Sequence, residues 1–169
     1  MTTFDLRRLK LCPGEEHRDE EEIELAPFDL GGQRYLPVPE KAPAELVVSR
    51  VSSGTVFELG FRTRLHGPCY RCLRDAVVEL PVHAREYQAT SPGESDELLS
   101  QYVDENRLDL SAWARDAIAL ELPDQILCRP DCAGLCPICG DDLNQNPHEH
   151  DDERLDPRWA VLEELKERL

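Results

Sequence analysis

The sequence predicts an α+β fold: an antiparallel β meander or partly closed barrel, two helices, and a C-terminal lobe organised around clustered cysteines and histidines. Three observations carry that expectation. From Thr55 to His66 the residues alternate, with Phe57, Leu59, Phe61, Thr63 and Leu65 on one face and Glu58, Gly60, Arg62, Arg64 and His66 on the other; a period of two marks a half-buried strand. After Asp109 the apolar residues Leu110, Trp113, Ala114, Ala117 and Ile118 recur at spacings of three and four, the stripe of an amphipathic helix. Between residues 128 and 150 stand Cys128, Cys132, Cys136, Cys139, His148 and His150, too dense a run of soft ligands for an ordinary loop.

Taken in order, residues 4–11 read as a first strand and the following acidic stretch as a solvated loop. Residues 21–39 are punctuated by Pro and Gly, with extended pieces at Ile23–Phe28 and Gln33–Val38. Ala44–Val51 is rich in β-branched residues and reads as a strand. Ser52-Ser53-Gly54 turns the chain into the alternating strand, and Cys69 and Cys72 sit in the turn after Gly67-Pro68. Ala76–Gln88 resumes as a strand broken by Pro81, and residues 90–107 read as a polar mobile loop. Asp109 can cap a helix running to about Glu121, since its carboxylate accepts from the free amides of the first turn; Pro123 ends it. Asp156-Pro157 is a helix start signal, and Trp159, Leu162, Leu165 and Leu169 form one stripe behind it. Residues 1–107 are thus expected as a β-rich domain with an acidic loop. Residues 108–169 are expected as a helix, a metal-binding cluster and a C-terminal helix packed on it.

A chain of 169 residues suits one domain, or one domain with a small metal-bound appendage. Aromatic residues make up 6%, so the core should be mainly aliphatic. No apolar run approaches a membrane span, and the N-terminal residues lack the pattern of a secretory leader, so a cytoplasmic location without a membrane partner is expected. In a reducing compartment seven cysteines are not expected to form a disulfide framework, and an odd count cannot pair completely. Cys12 stands apart and is expected as a buried or semi-buried small hydrophobe. The formal charge of −16 rules out a generic nucleic-acid coat, because phosphate contacts need positive charge. The charge is polarised, however: residues 50–74 hold Arg50, Arg62, Arg64, Arg71 and Arg74 against Glu58.

Two cysteines separated by two residues can clamp a metal from a tight turn, and a following Gly relieves the backbone there. Cys136-Pro-Ile-Cys139-Gly140 has this form, and His148 and His150 can place both rings on the same ion. These four are assigned to one site. Cys69, Cys72, Cys128 and Cys132 are assigned to a second, which would tie the β-hairpin loop to the segment after the helix. The expected cofactor is Zn2+, one or two ions in a structural role. A grouping of Cys128, Cys132, Cys136 and Cys139 on one ion stays open. Catalysis is not expected. Thiolates are abundant enough to close every coordination position, and the chain contains no H-E-x-x-H, no G-x-S-x-G and no phosphate-cradling glycine loop.

At these residues the chain resembles the YceD family, the large ribosomal RNA subunit accumulation proteins. The shared features are G-P-C-Y-R-C-L at 67–73, D-L at 109–110, L-x-L-P at 120–123, and C-R-P-D-C-A-G-L-C-P-I-C-G at 128–140. L-N at 143–144 and D-P-R at 156–158 leading into L-x-x-L complete the set, and together they span roughly residues 45–169. Members with this C-terminal cluster commonly carry Cys-x-Cys where this chain has His148 and His150; histidine is a competent zinc ligand. The resemblance implies a bacterial cytoplasmic factor for accumulation of large-subunit ribosomal RNA, and it supplies no catalytic residues. Within that frame Arg62, Arg64 and His66 on one strand face, with Arg71 and Arg74 beside the first cysteine pair, are the expected contacts to precursor RNA phosphates. A basic ribosomal protein captured by the acidic faces is the other expected partner, with no small-molecule substrate. A zinc-stabilised protein-binding module and a metal-dependent hydrolase are the competing readings.

Overall fold

The computed structural model of the chain describes residues 1–91 and 98–150. The helix expected from Asp156, with its stripe from Trp159 to Leu169, lies outside the described residues. Two compact units divide the chain, Met1–Cys132 and Ala133–Leu169.

The first unit is built on one long strand. Its elements are β1 (Thr3–Asp5), a single 3₁₀ turn (Leu6–Arg8), β2 (Glu16–Glu24), β3 (Phe28–Leu30), β4 (Gln33–Pro37), β5 (Lys41–Arg50), β6 (Gly54–Pro68), β7 (Asp75–Ala89), β8 (Val103–Asp104), β9 (Arg107–Asp109) and α1 (Leu110–Glu121). Strand β6 is antiparallel to β7 over its whole length, from Gly54 opposite Ala89 to Pro68 opposite Asp75. Its other edge is shared: β5 takes Thr55–Phe61, and β4 takes Leu65 and His66. Strand β2 extends the sheet beyond β5, β3 pairs β4, and a separate three-stranded sheet runs β1-β9-β8. Among the described residues β2 pairs only β5 and β7 pairs only β6, so the six-stranded sheet is open and the partly closed barrel is corrected to an open antiparallel sheet.

The alternation read in the sequence is the burial pattern of β6. Phe57, Leu59, Phe61, Thr63 and Leu65 are buried, and Glu58, Arg62, Arg64 and His66 are exposed. Leu46 and Val48 of β5 and Leu80 and Val82 of β7 join that inner face. Helix α1 packs on β7 and β2 with Leu110, Trp113, Ala114, Ala117 and Ile118 buried. Its Asp109 cap accepts from the Ala112 amide at 3.0 Å. The buried hydroxyl of Thr63 faces this apolar layer with no hydrogen-bond partner.

Five local expectations need correction. The acidic segment is strand β2, not a loop. Its Glu-rich residues form an edge, where backbone bonds to β5 hold the strand and charges discourage pairing with a further strand. Arg18 bridges Glu16 and Glu45, and Lys41 meets Glu22, which offsets part of the like-charge repulsion. The first strand is shorter than expected, because the Asp5 side chain accepts from Arg7 and starts the 3₁₀ turn. Strand β7 runs through Pro81 unbroken, since an edge strand tolerates a residue without an N–H. The polar stretch before Asp109 contains the tight β8–β9 hairpin, turned by Glu105 and Asn106 at positive φ. Cys12, expected to be buried or semi-buried, is exposed.

Candidate metal centres

In the first unit the link from β6 to β7 is a cysteine knuckle. The Cys69 amide donates to the Arg74 carbonyl at 2.6 Å and the Leu73 amide to the Cys69 carbonyl at 3.0 Å. The Tyr70 amide reaches the Ile126 carbonyl at 2.8 Å and fastens the knuckle to the segment that follows α1. That segment supplies Cys128 and Cys132, and the Sγ atoms of Cys69, Cys72, Cys128 and Cys132 all lie within 4.8 Å of one another. Cys69 and Cys132 are 3.8 Å apart, and Cys72 and Cys128 are 3.6 Å apart. Sulfurs at about 2.3 Å from a tetrahedral zinc ion stand about 3.8 Å from each other, and these two separations match that spacing.

Tyr35 of β4 braces the knuckle from below. Its ring lies against Gly67, and its hydroxyl donates to the Pro68 carbonyl at 2.8 Å. Burial of that ring raises the Tyr35 pKa. Arg71 donates from Nη1 to the Cys132 carbonyl at 3.0 Å, and Arg74 hydrogen-bonds the Cys72 sulfur. Four thiolates on a divalent ion leave a net charge of about −2, and these two guanidinium groups stand where they can offset it. The thiols themselves are poised unequally. Burial would push Cys69 up, but the amides of Cys72, Cys128 and Arg71 aimed at its sulfur bring it down to about 6. Desolvation, reinforced by the neighbouring thiols, pushes Cys128 up to about 12.

The second unit repeats the knuckle. The Cys136 amide donates to the Asp141 carbonyl at 2.8 Å, and the Gly140 amide to the Cys136 carbonyl at 2.9 Å, the same two bonds at the same spacing. A bridge between Leu135 and Asp142 closes its base. Asp142 accepts from the Asn144 amide at 2.9 Å, and Asn144 Oδ1 accepts from the Ala133 amide at 2.9 Å. Cys136, Cys139, His148 and His150 bring their ligand atoms within 4.8 Å of one another. Cys139 Sγ is 3.1 Å from His148 Nε2, and the two imidazole rings meet edge to face at 4.8 Å. His148 Nδ1 lies 2.8 Å from the Asn146 carbonyl, which can only accept, so Nε2 is left as the metal-facing nitrogen. The Cys139 amide drawn onto its sulfur lowers the Cys136 pKa to about 6. The Asn146 carbonyl raises that of His148. Cys128 and Cys132 therefore gather with Cys69 and Cys72, not with Cys136 and Cys139.

One contrast separates the two knuckles. The residue after the second cysteine has a positive φ in both, +80° at Gly140 and +59° at Leu73. Glycine adopts that conformation freely, whereas a side chain there costs about 1 kcal/mol. Leu73 nevertheless stays 55% exposed, and Tyr70 on the same knuckle is 62% exposed. Sequence reasoning passed over Tyr35 and read Gly67, Tyr70 and Leu73 only as part of the 67–73 turn and motif; the signal was Leu standing where the second knuckle has Gly. The five basic candidates, Arg62, Arg64, His66, Arg71 and Arg74, are all exposed. Arg64 meets Glu79 at 2.9 Å across the strands, while Arg71 and Arg74 also hold the first cluster.

The family model described as "Large ribosomal RNA subunit accumulation protein YceD" matches residues 57–166, which includes both knuckles. The chain belongs to the YceD family. Among its curated relatives an uncharacterised Mycobacterium tuberculosis protein is 36% identical over 151 residues, 85% of this chain and 67% of the relative. An uncharacterised Mycobacterium leprae protein is 32% identical over 151 residues, 85% of this chain and 64% of its own. The uncharacterised Bacillus subtilis protein YlbN is 27% identical over 146 residues, 84% of this chain and 81% of its own. No solved structure matches. The YceD family name connects the chain with large-subunit ribosomal RNA. Among the described residues no helix is long and apolar enough to cross a membrane.

Proposed function

We propose that this YceD-family chain supports accumulation of large-subunit ribosomal RNA as a non-catalytic factor, that zinc builds its two ligand clusters, and that it acts by binding precursor RNA. The observation that carries the RNA reading is the exposed stripe of Arg62, Arg64 and His66 on β6, continued by Arg71 and Arg74, within a chain of net charge −16. Local positive charge in an acidic molecule favours a polyanion at that one surface and discourages indiscriminate binding elsewhere. The contact between Arg64 and Glu79 does not block this role. Both side chains are more than half exposed, and an exposed pair is worth well under about 1 kcal/mol, so a phosphate can take the place of the carboxylate.

The non-catalytic reading rests on the ligand sets. Each cluster brings four N or S donors to one point, as a closed structural zinc site does, whereas a hydrolytic zinc keeps a position for water. Arg62→Gln/Arg64→Gln, which spares the two arginines at the first cluster, tests the RNA surface. Binding of single-stranded RNA should weaken, and the slope of log K against log salt should fall by roughly 0.7 for each lost phosphate contact. Unchanged affinity and slope would remove the stripe from the RNA site.

A further inference from the structure

We propose that the first knuckle and the end of the sheet beneath it form a platform on which unpaired bases of single-stranded RNA stack, with the arginine stripe taking the phosphates. The proposal rests on the RNA reading above and adds which form of RNA is taken and which side chains select it. Three observations point to it. Leu73 holds a left-handed backbone conformation that Gly140 fills in the second knuckle, yet it stays more than half exposed. Strain kept at a largely exposed side chain is characteristic of binding positions. Tyr70, three residues earlier on the same turn, is 62% exposed.

The third observation lies in the sheet register. Leu36 of β4 is opposite His66 of β6, and His66 is opposite Val77 of β7, so three exposed side chains form one row across three strands at the end where the knuckle sits. Leu36 is 48% and Val77 47% exposed. Apolar and ring surfaces beside cations suit nucleobases joined by phosphates: every base has a π-face, and stacking tolerates any sequence. A duplex keeps its bases stacked inside and offers this surface little beyond its phosphates.

The zinc-loaded full chain is titrated into a fluorescein-labelled mixed-sequence single-stranded RNA of about 12 nucleotides, and into the same RNA as a duplex, with anisotropy as the readout. The single strand should bind at least about tenfold more tightly, and Tyr70→Ala should cost roughly tenfold in affinity with the salt slope unchanged. Tyr70→Phe should bind like wild type. Leu73→Gly should weaken binding while its melting temperature holds or rises, because the strain is relieved. Elemental analysis shows whether each variant keeps its metal; should Tyr70→Ala lose it, Leu73→Gly decides. Equal affinity for duplex and single strand would overturn the platform, as would Tyr70→Ala and Leu73→Gly variants that bind like wild type. If Arg62→Gln/Arg64→Gln still weakens binding in that case, the RNA reading survives without the platform. A wild-type protein that binds neither RNA but retains purified basic ribosomal proteins would overturn both readings in favour of a protein partner.

Discussion

Thr63 shows how strictly the inner face of β6 is specified. It continues the run of Phe57, Leu59 and Phe61 and is as buried as they are, yet its hydroxyl has no partner. A buried hydroxyl without a hydrogen bond keeps its desolvation cost, so an apolar group of the same shape should be tolerated or preferred. Thr63→Val is expected to stabilise the first unit by about 1 kcal/mol, read as a rise of a few degrees in melting temperature. A lower melting temperature would show that the hydroxyl has a bonded partner in solution. The alternation announced the burial of position 63 from sequence alone. The orphaned hydroxyl was not legible, because it depends on which atoms β5, β7 and α1 bring to the other side of the layer.

Among the elements, those that carry their own local signal were readable and those defined by a distant partner were not. The α1 helix announced itself through a capping Asp109 and a stripe of five apolar residues, and all five are buried. Strand β2 gave no such signal. Only Ile23 of its nine residues is buried, and its extended form comes from backbone pairing with β5, whose partner residues lie 17 to 33 positions away. Pro81 misled in the opposite direction, because whether a proline breaks a strand depends on whether that strand lies at an edge. The knuckle between β6 and β7 combines both cases: the cysteine spacing was plain, while the Tyr35 ring beneath Gly67 came from a strand thirty residues upstream. A Cβ on Gly67 would stand 2.7 Å from Tyr35 Cε1, and that ring is buried and anchored through its hydroxyl. Gly67→Ala should therefore cost about 1–3 kcal/mol by overpacking. In a Tyr35→Ala background most of that cost should vanish, since the two residues couple through this one contact. Additive losses in the double-mutant cycle would place the strain elsewhere.

At the scale of the whole molecule, the ligand groups drawn from spacing, Cys69, Cys72, Cys128 and Cys132, and Cys136, Cys139, His148 and His150, are the two groups whose donor atoms the fold gathers. Spacing alone left a third grouping open, because C-x-x-x-C and C-x-x-C stand side by side in the chain. What separates them is the Tyr70 amide bound to the Ile126 carbonyl, which carries Cys128 and Cys132 to the first knuckle. The two clusters are placed differently in the chain. The first joins chain segments more than fifty residues apart and buries three of its four cysteines; the second closes a local loop, with Cys139 and His150 exposed. Closing the longer loop constrains the unfolded chain more, so removing the first metal should be the more damaging change. Wild type should carry two zinc ions per chain, and His148→Ala/His150→Ala should lower that to one with a small change in melting temperature. Cys72→Ser/Cys132→Ser should also leave one, but with a large fall in melting temperature. Because each thiol must lose its proton to bind metal, zinc affinity should fall as the pH is lowered. Elemental analysis and thermal melts of the three proteins check the order. One zinc per chain, unaffected by the histidine changes, would make His148 and His150 ordinary loop residues, and equal losses of stability from the two double variants would refute the division of labour between the centres.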